Sequence, residues 1–263
     1  MNRIESLRRS PLLQSFAGSD AASSLNQQNK RDGSELDRIP VSLSFAHRIF
    51  VPEHYEPRYE YPLVIWLHSD QSSEGEIDSI MPVLSLRNYV ACGLRGTGRA
   101  KGKKRLYDWS LTPHGIALTE ECIFEAIEQM TQSLSIHPER IFLAGMGRGG
   151  TVAQYIGLRH PDRFGGVVSI NGPFPTMPRS LARWKEAKNL PILWMHGNQS
   201  EHCGMDAMCR MLQAAYPAAL QVFPVQFASG EELDAQMLNK MNRFLMQIVT
   251  GESICMHEPM HAD

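Results

Sequence analysis

The sequence predicts an α/β fold, a doubly wound and mostly parallel sheet with helices on both faces. Three observations carry that expectation. Continuous apolar runs of four or five residues recur along the chain, and a strand reads that way when both of its faces are covered. Stretches with apolar residues at helical spacing separate several of these runs. The length of 263 residues is enough for one large α/β core.

The first 39 residues are rich in Ser, Asn, Gln, Arg and Asp, with little to bury, and are expected to form a disordered polar leader. From Pro40 the texture changes. Val41, Leu43 and Phe45 alternate with polar residues as a half-buried strand does, and Ile49, Phe50 and Val51 continue it towards a Pro-rich turn. Buried strands are expected at Leu63–Leu67, Tyr89–Cys92, Ile141–Ala144, Val167–Ile170 and Ile192–Met195. Ile123, Ala126, Ile127, Met130 and Leu134 mark one amphipathic helix. Leu233, Met237, Met241, Phe244, Leu245 and Ile248 mark a terminal one, with Gly251 as its stop. The domain is thus expected over residues 40–251, followed by a loose tail over 252–263.

Composition narrows the function classes. Twenty-six Lys and Arg against 28 Asp and Glu give a formal net charge of −2, which argues against nucleic-acid binding through bulk charge. No apolar run approaches the ~20 residues that span a bilayer, and Pro11-Leu12-Leu13 is too short for a signal-peptide core. The five cysteines are odd in number and lack C-x-x-C spacing, so neither a disulfide framework nor a zinc site is expected and a reducing cytoplasm fits best. No cofactor is implied.

The most informative stretch runs from Ile141 to Ile156, a buried strand turning through Gly145, Gly147, Gly149 and Gly150 into a helix. Gly145, Gly147 and Gly150 satisfy G-x-G-x-x-G, the dinucleotide fingerprint. Its context is wrong, because the motif lies mid-chain and the next strand ends at Asn171-Gly172 without a ribose-binding acid. The alternative is a nucleophile elbow, G-x-S-x-G, with Gly147 in the serine slot.

From about Val41 to Thr250 the chain resembles the phospholipase/carboxylesterase family of α/β-hydrolases. The likeness rests on Pro62–His68, Ile141–Gly150, Arg159–Val168 and Pro191–Gly197. It implies the α/β-hydrolase fold and, for an intact member, carboxylic ester hydrolysis by a Ser, Asp, His triad in that chain order. Matching the slots gives Gly147, Ser200 and Glu231, so all three depart from the pattern. Glycine has no side chain with which to attack. The implied protein is a non-catalytic or strongly impaired homologue, with an active ester hydrolase using a relocated nucleophile as the alternative. By the same resemblance, the backbone N–H groups of Asp70 and Arg148 are the oxyanion-hole positions, with Ser69 beside them.

Outside the elbow, Cys203 beside His202 is the best local nucleophile–base pair, although sequence neighbours rarely hold the geometry. Ser69 is expected to hydrogen-bond locally. Glu231 and Glu232 fit a helix start, with Ser229 as N-cap and Glu232 completing a capping box. His68 and His196 sit at strand ends and read as frame residues rather than metal ligands. Residues 95–105 hold six basic residues in eleven beside the expected pocket. With Arg148 and the spare N–H groups they suggest a small anionic ligand, against the simpler reading of a solvated basic loop. Cys255, His257 and His261 in the tail match no standard metal spacing.

Overall fold

The computed structural model describes residues 44–102, 104–175, 182–199, 209, 212, 213, 215, 216, 218–228, 230 and 232–255. Among them, seven strands form one sheet: β1 His47–Phe50, β2 Tyr61–Leu67, β3 Val90–Leu94, β6 Ile136–Met146, β7 Gly166–Ile170, β8 Ile192–Gly197 and β9 Val222–Phe227. Their order is β1-β3-β2-β6-β7-β8-β9, and only the β1–β3 pair is antiparallel. Two short strands, β4 Gly98–Arg99 and β5 Tyr107–Asp108, pair separately as a hairpin. The five continuous apolar runs fall on β2, β3, β6, β7 and β8, and every residue of β2, β3, β7 and β8 is buried. Coverage on both faces is why these strands needed no polar alternation.

The helices supply that coverage. α1 Ile77–Leu84 and α5 Ala235–Thr250 cover one face, where Ile80, Met81, Met237, Met241 and Phe244 pack on Trp66, Phe142, Val168 and Leu193. α3 Arg148–Arg159 lies on the other face: Gln154 bonds Ser169, and Gly157 lies against Val167. Those residues alternate along β7 with the ones that meet α5. α2 Pro113–Ser133 lies between β5 and β6 in the chain, and α4 Trp184–Ala187 precedes β8. No helix among the described residues is long and apolar enough to cross a membrane.

Several boundaries differ from expectation. The first strand is only His47–Phe50, because Ser44 turns its N–H and hydroxyl to the Glu125 carboxylate on α2 at 2.7 and 2.6 Å. Val41 and Leu43 lie outside the described residues. The terminal helix begins at Ala235, with the Asp234 carboxylate accepting the Met237 N–H at 2.8 Å. Glu232 therefore precedes the helix and completes no capping box: Asp234 is as good a cap as serine and stands at the start of the apolar periodicity. Ser229 and Glu231 lie outside the described residues. The stop at Gly251 holds, with φ of 74°. α2 starts ten residues before the marked stripe, at Pro113, where Thr112 caps Gly115 N–H and proline fits the first turn.

Candidate active site

The elbow is built as the glycine frame requires. β6 ends at Met146, α3 begins at Arg148, and Gly147 makes the turn between them with φ 58° and ψ −125°, a backbone region that side chains penalise. Its N–H donates to Ile170 O at 2.8 Å and its carbonyl accepts Thr151 N–H at 3.1 Å. Gly149 allows the close approach beneath: a Cβ there would stand 2.3 Å from the Leu67 carbonyl oxygen and 2.6 Å from that of His68.

The loop after β2 roofs this turn and is fastened on both sides. Ser69 gives its N–H and its hydroxyl to the Glu76 carboxylate, the hydroxyl at 2.5 Å, and Trp66 Nε1–H reaches the same group at 2.9 Å. Gln71 N–H donates to Asp108 Oδ1 at 2.7 Å, and Ser72 O accepts Tyr107 N–H at 2.8 Å. His68 is fully buried. Its Nε2 accepts the Gly96 N–H at 2.9 Å, which places its proton on Nδ1, 2.7 Å from Ser69 O, while its carbonyl accepts Trp109 Nε1–H at 2.8 Å. Burial pushes this imidazole below its ordinary pKa, so it is a neutral frame residue. Ser69 is likewise a local bonding group, its hydroxyl committed to Glu76.

Asp70, read from the sequence for its N–H, has its backbone nitrogen 3.7 Å from where a Cβ on Gly147 would stand, and it also brings its side chain to the elbow. Its Oδ2 accepts the Arg148 N–H at 3.3 Å, and its Oδ1 lies 3.4 Å from Arg148 Nε. A Cβ on Gly147 would stand 2.6 Å from Oδ2. The carboxylate therefore overlaps the volume that a side chain at position 147 would take, and the Arg148 N–H meets the chain's own acid. The half-exposed ion pair contributes at most about 1 kcal/mol.

Asn171, with φ 52°, accepts the Gly197 N–H on Oδ1 at 2.8 Å and donates from Nδ2 to Gly230 O at 3.2 Å. It thereby ties the end of β8 to Gly230, beyond the end of β9, a role that Asn171-Gly172 at a strand end did not signal in the sequence. Ser200, Glu231, His202 and Cys203 lie outside the described residues. His196 is fully buried and stacked on Trp194, ring centroids 5.5 Å apart, and neither ring nitrogen makes a well-formed hydrogen bond among the described residues. Burial lowers its pKa, against a weaker opposing pull from the Val225 backbone. Among the described residues no cluster of three His, Cys, Asp or Glu could hold a metal. In the basic segment, Arg95 is bound to Glu74 and lies over Tyr107, while Arg99, Lys101, Lys104 and Arg105 are exposed along the β4–β5 hairpin.

A mostly parallel sheet whose central strand turns through a positive-φ residue into a helix, with a roofing loop from the neighbouring strand, defines an α/β-hydrolase architecture. Among known proteins, the family model for phospholipase/carboxylesterase matches residues 110–249, more than half of the chain and the whole elbow. The chain belongs to that family. It is 22% identical over 164 residues to the carboxylesterase SOBER1 of Arabidopsis thaliana, covering 56% of this chain and 71% of that one. It is 27% identical over 158 residues to a probable carboxylesterase of Oryza sativa subsp. japonica, covering 52% and 66%. Among solved structures, SOBER1 superposes with a TM-score of 0.61 at 17% identity, covering 72% of this chain and 99% of that one. The Bacillus cereus carboxylesterase gives 0.63 at 13% identity, covering 82% and 100%. These likenesses share the fold.

Proposed function

We propose that this chain is a non-catalytic, or strongly impaired, member of the phospholipase/carboxylesterase family that binds a small acyl or anionic ligand in the former active site. The observation that carries the reading is Gly147, which keeps the elbow's backbone torsions with no group to attack an acyl carbon. Loss of a nucleophile typically costs on the order of 10⁶ in kcat, with roughly 10³–10⁴ over water surviving from oxyanion stabilisation and binding. The carboxylate of Asp70 at the Arg148 N–H weakens even that remainder. Ser200 and Glu231, in the acid and histidine slots, support the same reading.

One observation favours the second reading, an ester hydrolase with a relocated nucleophile: Asp70 Oδ2 stands where the elbow side chain would. Against it, the same oxygen accepts the Arg148 N–H that an oxyanion would require.

The test is hydrolysis of p-nitrophenyl butyrate by the full chain, beside a variant carrying Gly147→Ser, Ser200→Asp, Glu231→His and Asp70→Ala. The fourth change follows from the structure, because a serine Cβ at 147 would collide with Asp70. No saturable turnover by the natural chain is expected, with a gain in the variant. Saturable turnover by the natural chain would overturn the reading, and its loss in Asp70→Asn or in Cys203→Ala would then name the nucleophile.

A further inference from the structure

We propose that Asp70 is a built-in competitor for the vacated pocket, a carboxylate of the chain itself seated where a carboxylate or acyl ligand would bind, so that such a ligand enters only by displacing it. The proposal deepens the non-catalytic reading above, on which it rests, by naming the ligand class and what holds the site closed.

Three observations meet at one place. The first is the space: Gly147 leaves the elbow without a side chain, and Asp70 Oδ2 fills the gap, 2.6 Å from where a Cβ would be. The second is the donor pair: the Arg148 N–H and Nε address the two oxygens of one carboxylate at 3.3 and 3.4 Å. That arrangement matches a planar two-oxygen anion. The third is the mounting. Ser69 is tied to Glu76 through both N–H and hydroxyl, and Gln71, at φ 53°, is tied to Asp108. Residues on either side of Asp70 are thereby fixed by contacts that do not involve Arg148, so the loop holds the Asp70 backbone beside the elbow independently of the ion pair.

Exclusion follows from charge as well as from volume. An incoming carboxylate needs the same donors and meets a like charge within a few ångströms, which disfavours it until Asp70 turns away. The half-exposure of both Asp70 and Arg148 gives the side chain somewhere to go, so the seat is closed but not sealed.

The experiment is a titration of the full-length protein with sodium butyrate at fixed ionic strength, read at the Arg148 and Gly147 backbone amides by nitrogen–proton correlation spectra. Asp70→Ala is expected to bind butyrate saturably at these amides, at least tenfold more tightly than the natural chain, with Asp70→Asn between them. Equal affinity in the natural chain and Asp70→Ala, or no saturable shift in Asp70→Ala, overturns the proposal. Should Asp70→Ala not fold, Asp70→Asn carries the comparison by the same criterion. Ester turnover is scored separately: a hydrolytically active natural chain would overturn the non-catalytic reading while leaving the butyrate comparison standing, and the reverse holds for equal butyrate binding by a silent chain.

Discussion

At the scale of single residues, the coupling between Gly147 and Asp70 is the contact most open to measurement. Gly147→Ala adds two costs of different origin. A Cβ at φ 58° and ψ −125° is strained by about 1–3 kcal/mol wherever the neighbours stand, and that Cβ also meets Asp70 Oδ2 at 2.6 Å. Only the second cost disappears when Asp70 is shortened. A double-mutant cycle in urea with Asp70→Ala should therefore show Gly147→Ala destabilising both backgrounds, by at least about 0.5 kcal/mol less in the shortened one. Strict additivity would mean that the carboxylate does not occupy the elbow in solution. The strand-to-helix turn at Gly147 was legible in the sequence, because the surrounding glycines fix its position to the residue. The carboxylate above it was not, since 78 residues separate Asp70 from Arg148 and no local pattern says which way a loop side chain turns. The poverty of hydrogen bonding around His196 was hidden for the same reason.

At the scale of elements, the start of α3 is held against the end of β2 by the absence of side-chain atoms. Gly149→Ala would place a Cβ 2.3 Å from the Leu67 carbonyl oxygen, and the atoms it meets are backbone, which cannot rotate away. A loss of about 1–3 kcal/mol or more is expected. Gly230→Ala, with nothing within 4 Å of its Cβ, should stay within about 0.5 kcal/mol of the natural chain. Equal urea midpoints for the two variants would contradict this packing. Elements buried on two faces were the ones readable in advance, because a short, unbroken apolar run flanked by turn residues is what a strand covered on both sides requires. β9 escaped notice because it lies at the sheet edge, carries Pro224 and is only half-buried, so its apolar signal is diluted. α1 escaped because eight residues with Pro82 inside give too short a period to stand out.

For the whole molecule, two fully buried imidazoles set how the fold responds to mild acid. Burial holds His68 and His196 below the ordinary histidine pKa, so the folded state resists protonation that the unfolded chain accepts near pH 6.5. The sign is then fixed: where the unfolded chain binds more protons, stability rises with pH, and it falls as pH drops through the unfolded value towards the folded one. With both groups contributing, unfolding free energy should fall between pH 7.5 and 5.5, by at most about 1.4 kcal/mol for each imidazole. Glu74 does not confuse that window. Burial raises its pKa, yet the hydrogen bond and charge of Arg95 outweigh the burial and leave it lowered, so its share is lost only at more acidic pH. The two histidines can also be separated. His68 holds Gly96 and Ser69, so replacing it disturbs the pocket roof. His196 has only the weak pull of the Val225 backbone among the described residues, and His196→Leu removes a titrating group whose poorly satisfied buried nitrogens are themselves a cost. Urea unfolding of His196→Leu should therefore show no loss of stability at pH 7.5 and a smaller decline than the natural chain's by pH 5.5. An unchanged decline would mean that this imidazole is already protonated, or already exposed, in the folded protein.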